Sequence, residues 1–142
     1  MKIYIGSDHA GYQLKELVKK HFEGSFEFVD KGTFSSESVD YPDFAHQVAE
    51  SVLNDSNGVG ILICGTGNGM AMSANKHAGI RAALCWSPDI AALAKQHNNA
   101  NILVLPARFI SSDLAMYTIN AFFKAEFEGG IHQRRIDKIN FQ

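Results

Sequence analysis

At 142 residues the chain has the size of one ordinary domain, long enough to bury roughly two thirds of its unfolded surface. Its 13 Lys and Arg against 15 Asp and Glu leave a formal charge of −2 with no basic run, which speaks against a nucleic-acid binder. No apolar stretch approaches the ~20 residues of a membrane span, and the opening Met1-Lys2-Ile3-Tyr4-Ile5 enters a strand pattern without signal-peptide architecture, so a cytoplasmic protein with no membrane partner is expected.

Lys2 to Ile5 is a short β-rich run stopped by Gly6-Ser7-Asp8-His9-Ala10-Gly11, after which Leu14, Leu17, Val18 and Phe22 recur at helical spacing. Gly24 closes that helix. Phe26 to Val29 reads as a second strand, leading through Asp30-Lys31-Gly32 into a polar loop from Thr33 to Tyr41. Pro42 suits the first turn of a helix whose apolar stripe is Phe44, Ala45, Val48, Ala49, Val52 and Leu53. Asn54 to Gly58 ends it, and Val59 to Ile63 is the third strand. A helix from about Met70 to His77 follows, then a fourth strand at Ala82 to Cys85. A helix opened by Ser87-Pro88-Asp89 and a fifth strand at Ile102 to Leu105 continue the alternation. Ser111-Ser112-Asp113 caps a last large helix to about Phe127, and Glu128-Gly129-Gly130 breaks into a tail with room for one short helix. No linker or repeat divides residues 1–142, which read as a single domain. Repeated βα units with near-continuous apolar strands predict an α/β fold with a parallel sheet covered on both faces. Ligands are then expected outside the carboxyl ends of the strands, at the loops of Asp8, Cys64, Trp86 and Arg108.

The stretch Gly60-Ile-Leu-Ile-Cys64-Gly-Thr-Gly-Asn-Gly69-Met organises the functional reading. An apolar run ending in a thiol and three alternate glycines is a buried strand handing over to a tight loop. The N–H groups of Gly65, Thr66, Gly67, Asn68 and Gly69 could converge there on one anionic oxygen. Cys64 is either a small apolar core residue or a thiolate stabilised beside those donors. Cys85, with no glycine loop after it, reads as core, and in a chain without an export signal reduced thiols are expected rather than a disulfide. The glycine spacing misses G-x-G-x-x-G by one residue and there is no G-K-[ST], which disfavours a nucleotide. Thr66 and Asn68 serve equally as turn formers or ligand donors.

Asp8 and His9 are a helix cap with a solvated histidine, or ligand contacts on the functional edge. His97 and Asn98 end a helix, where a cation and left-handed asparagines are ordinary; the alternative for His97 is an acid for a sugar ring oxygen. No two histidines have metal-ligand spacing, so no metal is expected. Arg108 and the pair Arg134-Arg135 are the concentrated cations. They are solvated surface or a fork for phosphate, and a tail carrying them need not fold over its own site if a neighbouring subunit offers one.

These residues fall into ordered blocks: G-S-D-H-A-G at Gly6 to Gly11, D-K-G-T at Asp30 to Thr33, D-Y-P at Asp40 to Pro42 and G-I-L-I-C-G-T-G-N-G-M at Gly60 to Met70. A-N-K at Ala74 to Lys76, G-I-R-A at Gly79 to Ala82, Q-H-N at Gln96 to Asn98 and E-G-G-x-H at Glu128 to His132 complete the set. The whole chain resembles the ribose-5-phosphate isomerase B family, which also includes galactose-6-phosphate isomerase subunits. The resemblance implies a Rossmann-like three-layer αβα sandwich with a five-stranded parallel sheet, dimeric or a dimer of dimers. It further implies interconversion of an aldose phosphate and its ketose without metal or organic cofactor. By the same resemblance Cys64 is the base and His97 opens the ring, with Thr66 beside them. The loop Gly65 to Gly69 is the anion hole, Asp8, His9 and Asn98 contact the sugar, and Arg108 and Arg135 meet the phosphate. The site is shared between subunits, with the tail at about 128–142 reaching a neighbour.

One position departs from that pattern. Family members that isomerise ribose 5-phosphate commonly carry an arginine where this chain has Ile131. Either Arg134 or Arg135 compensates, or the pocket favours a six-carbon allose or galactose phosphate; ribose 5-phosphate is the first expectation. A non-catalytic sugar-phosphate sensor is the competing class, and it would not need the thiol.

Overall fold

Val59–Cys64 (β3) is buried at every position from Gly60 onward, as a strand covered on both faces must be. The structure, a computed structural model, describes residues 1–141; Gln142, the end of the expected tail, lies outside the described residues. The other elements are β1 (Lys2–Ser7), α1 (Tyr12–His21), β2 (Glu27–Asp30), α2 (Tyr41–Leu53), α3 (Asn68–Ala74), β4 (Ala82–Leu84), α4 (Pro88–Asn98), β5 (Ile102–Pro106), α5 (Ser112–Lys124) and α6 (Ile131–Ile136).

The five strands pair in parallel in the order β2-β1-β3-β5-β4, with Ile5 beside Ile61, Ile61 beside Leu103 and Leu84 beside Val104. Alternation along the strands sends side chains to two cores. Ile3, Ile5, Ile61, Ile63, Leu103 and Leu105 pack under α1, α4 and α5, against Leu14, Val18, Ala94, Ile119 and Phe122. Leu62, Cys64, Ile102 and Val104 pack under α2 and α3, against Val48, Ala49, Met70 and Ala74. This is the expected αβα sandwich.

The boundaries differ where distant contacts override local signals. The helix expected to reach His77 ends at Ala74, because the Asn75 side chain turns to the start of β4, donating to the Ala82 carbonyl (3.0 Å) and accepting from its N–H (2.8 Å). The helix capped by Ser111, whose Oγ accepts from Leu114 N–H at 3.1 Å, ends at Lys124 rather than Phe127. Beyond it the chain is drawn toward α4 by a bond from Glu128 N–H to the Gln96 carbonyl (3.0 Å).

At the end of β2, Asp30 joins α1 to the sheet. Lys15, with no exposed surface, meets its Oδ1 at 2.6 Å, and Lys19 meets Oδ2 at 2.8 Å. Burial alone would raise the Asp30 carboxyl; the bonds from Lys15, Lys19 and the Gly32 N–H, with the Lys15 charge, outweigh it and hold Asp30 below the usual carboxylate range. A depressed folded-state value means the stabilisation is complete above the unfolded pKa of about 3.9 and is lost as pH falls through the lower, folded value. Asp30→Asn, which leaves Lys15 buried without its counter-charge, is expected to cost about 3 kcal/mol at neutral pH. Urea unfolding at a series of pH values checks this, and the variant's stability should fall less than the parent's as pH drops below about 4.

Candidate active site

Strand order decides which loops meet. The carboxyl end of β3 stands between those of β1 and β5, so the Cys64 loop lies between Asp8-His9 and Arg108, while Trp86 stands beyond β5 at the sheet's far edge. This is the point where chain order reverses across the sheet, and crevices form at such points. The neighbours are tied together: Asp8 N–H donates to the Ile63 carbonyl (3.2 Å), Ala107 N–H to that of Cys64 (2.9 Å) and Arg108 N–H to that of Gly65 (3.0 Å).

Cys64 is 4 % exposed, on the side of the sheet that α2 and α3 cover, so core packing and a place at the loop hold at once. Cys85 is wholly buried, and burial pushes its thiol up to about 12, which keeps it protonated and inert. After Cys64 the chain turns through Gly67 at φ +79°, a conformation that favours glycine; a Cβ there would also strike Leu84 Cδ1. The Arg108 guanidinium lies across Gly65, where a Cβ would come 3.2 Å from its Nη1. Among the described residues, the N–H groups of Gly65, Thr66, Gly67, Gly69 and Met70 meet no protein acceptor, whereas Asn68 N–H donates to Thr66 Oγ1 at 3.2 Å. That bond uses a Thr66 lone pair and leaves its hydroxyl proton free to donate. A nearly buried thiol and a set of open amides on one loop thus meet a guanidinium from the next.

Asp8 is buried and its Oδ1 accepts from Gly11 N–H (3.0 Å), which tightens the turn into α1. His9 is half-buried, and its Nδ1 accepts from Val39 N–H at 3.2 Å. Asp30 stands where a dinucleotide-binding fold keeps its ribose-binding carboxylate, but its oxygens are taken by Lys15, Lys19 and Gly32. A nucleotide therefore lacks its partner there.

The remaining expected residues are elsewhere. α4 runs back from the carboxyl edge and ends at Asn98, beside the start of β5; Ile102 there pairs with Gly60, whereas Cys64 pairs with Pro106 at the other end. His97 and Asn98 are thus at the opposite sheet edge from their own Cys64, a strand length of about 13 Å away. Arg135, on α6, lines a pocket with His97, Asn98, His132, Ile136 and Ile139. Within one chain the expected site residues form two groups: Asp8, His9, Cys64, the loop Gly65 to Gly69 and Arg108 at one edge, and His97, Asn98 and Arg135 at the other.

The second group contains side chains that the spacing arguments passed over. The His132 ring stacks on His97 at 4.2 Å and 9° between planes, and Glu128 Oε1 lies 3.7 Å from His97 Nε2 and 3.5 Å from His132 Nε2. Sequence spacing alone hides this cluster, although E-G-G-x-H flagged two of its members. Its three ligand atoms lie within 4.8 Å of one another. Parallel stacked rings aim their in-plane lone pairs side by side rather than at one point, a poor arrangement for a shared metal. Arg81, half-buried, caps this end of α4 by donating from Nε to the Asn98 and Asn99 carbonyls (3.1 and 3.0 Å). Asn99 takes φ +46°, the left-handed helix end that its residue type predicts.

Residues 3–139 match the family described as Ribose/Galactose Isomerase. The chain belongs to that family. Among family members, ribose-5-phosphate isomerase B of Escherichia coli is 46 % identical over 97 % of this chain and 93 % of its own. A crystal structure of a ribose 5-phosphate isomerase from Thermotoga maritima superposes with a TM-score of 0.94 at 55 % identity, covering 97 % of this chain and 96 % of that one. The Mycoplasma genitalium ribose-5-phosphate isomerase B, solved with bound ribulose 5-phosphate, gives 0.93 at 49 % identity, covering 97 % and 93 %. Ile131, where the resemblance led one to expect an arginine, opens α6 and is 49 % exposed. No helix among the described residues is long and apolar enough to cross a membrane.

Proposed function

We propose that the protein is an aldose–ketose isomerase of phosphorylated sugars, converting ribose 5-phosphate to ribulose 5-phosphate in the cytoplasm. The observation that carries the reading is the thiol of Cys64 at the root of a loop whose amides are open and whose first glycine lies under a guanidinium. Moving a carbonyl from C1 to C2 requires removing a proton from carbon beside that carbonyl while negative charge grows on oxygen, so a base and an anion cradle are needed together.

His97 donates a proton to the ring oxygen as its bond to C1 breaks, and the hemiacetal hydroxyl gives its own proton to solvent, which opens the sugar to the free aldehyde. Cys64, as thiolate, takes the proton from C2, and the electron pair moves onto the carbonyl oxygen to give a cis-enediolate. The N–H groups of Gly65 to Gly69 and the Thr66 hydroxyl hold that oxygen. Returning the proton from Cys64 to C1, while the O2 proton passes to O1 and the C2–O2 bond becomes the carbonyl, completes the ketose. Asp8, His9 and Asn98 hold sugar hydroxyls; Arg108 and Arg135 fork the phosphate. No metal or organic cofactor takes part.

Because His97 and Cys64 lie at opposite edges of one chain, the complete site is assembled by two chains in a homodimer or dimer of dimers. One brings Asp8, His9, Cys64, its glycine loop and Arg108; the other brings His97, Asn98 and, on its tail, Arg135. Ile131 favours a second reading, in which the missing cation leaves room for a six-carbon substrate. Supplying the protein with ribose 5-phosphate, allose 6-phosphate and galactose 6-phosphate and measuring ketose formation separates the two. Ribose 5-phosphate is expected to give the highest kcat/KM, and absence of ketose from all three would leave only a sugar-phosphate binding module.

A further inference from the structure

Lys15 has no exposed surface, and no step of the reaction uses it. A buried ammonium persists only when its protons are matched. Here Nζ donates to Asp30 Oδ1 and to the Thr33 carbonyl, both at 2.6 Å, with the Phe34 and Tyr12 rings 5.0 and 5.6 Å away. The same corner is bonded to the end of β1, since Ser7 N–H donates to the Gly32 carbonyl (2.7 Å) and Thr33 N–H to that of Ser7 (2.8 Å). Asp30 Oδ1 also accepts from Gly32 N–H at 2.8 Å.

From this anchored corner the chain crosses residues 34 to 38. Their only hydrogen bond among the described residues is local, from Glu37 N–H to Ser35 Oγ (3.3 Å). The far end is caught by the functional edge, where Val39 N–H donates to His9 Nδ1 at 3.2 Å. The strap is thus held at Thr33 by Lys15 and β1, and at Val39 by His9.

A backbone N–H can only donate, so His9 Nδ1 must keep its lone pair, and the neutral ring carries its proton on Nε2. We infer that Lys15 is a positioning residue: clamping Thr33 through its buried ammonium sets the 33–39 strap, and the strap holds His9 as the Nε2–H tautomer, a donor to substrate oxygen. This rests on the reading of His9 as a sugar contact. It deepens that reading by giving the contact a polarity: His9 recognises an oxygen lone pair on the sugar and does not accept a hydroxyl proton.

Long-range proton–nitrogen spectra of the full-length labelled protein, with His9 assigned by its loss in His9→Gln, read the tautomer directly. A bare Nδ1 and a protonated Nε2 are expected, and a proton on Nδ1 overturns the inference. In the double variant Lys15→Met/Asp30→Asn, which removes both charges so that neither is left buried alone, the His9 signals should become a tautomer mixture. KM for ribose 5-phosphate should rise about 5-fold with kcat within about 2-fold, as for the loss of one ground-state hydrogen bond. If the double variant folds and keeps both the parent tautomer and the parent KM, Lys15 is only a structural residue and the inference fails. Should it not fold, Val39→Pro removes the single donor with the ion pair intact; the same tautomer change and KM rise are expected, and an unchanged tautomer overturns the claim. A parent protein that forms no ketose would refute the isomerase reading, while the tautomer measurement, which needs no substrate, still decides this one.

Discussion

Cys64→Ala is expected to lower kcat by about 10³-fold while KM stays within about 3-fold, because a positioned base acts in the transition state and contributes little to ground-state binding. The substitution removes a single sulfur atom from a packed position and keeps the Cβ, so the fold should persist. Steady-state ketose formation with ribose 5-phosphate, alongside a thermal melt of each protein, checks both parts. Turnover within about 10-fold of the parent would remove Cys64 as the base. It would also return the residue to the small apolar role that its packing beside Leu62 and Met70 equally allows.

The second large effect comes from mixing two dead chains. Cys64→Ala and His97→Asn should each be almost inactive alone, yet the two proteins unfolded together and refolded should recover roughly a quarter of parental activity. In a dimer with shared sites, about half the molecules are mixed, and each mixed molecule holds one site with both defects and one with neither. If both residues served the same chain's site, every site would stay defective and nothing would return. The expectation follows from α4, which carries His97 to the sheet edge opposite Cys64. It would fail only if that helix end reached its own thiol or if the chain worked as a monomer.

The C-terminal segment shows why the two halves had to be joined by more than spacing. His97 is far in sequence from Glu128 and His132, and the three come together because Glu128 N–H donates to the Gln96 carbonyl near the end of α4 and the His132 ring stacks on that of His97. No periodicity encodes such a contact. The helix expected to run to Phe127 stopped at Lys124 for the same reason, since docking on α4 outweighed local helix preference.

Lys15 was similarly hidden. On the pattern Tyr12 to His21 it reads as one more polar position on an amphipathic helix, yet it is fully buried because Asp30, at the end of the neighbouring strand, supplies its charge partner. His46 and His77, 31 residues apart in the chain, meet at 2.7 Å between α2 and the turn after α3. Pairings of this kind depend on which elements the fold lays side by side.

By itself the sequence determined what is local: the alternation of strand and helix, the buried strand ending in Cys64, and the glycine that lets the chain turn at Gly67. These follow from period, side-chain volume and backbone freedom, each expressed within a few residues of its cause. Only the tertiary structure decided the strand order that sets Asp8 and Arg108 on either side of Cys64, the placement of His97 at the far edge, and the burial of Lys15. Those depend on contacts between residues distant in the chain, whose free energy exists only once the whole sheet and its two helical layers are assembled.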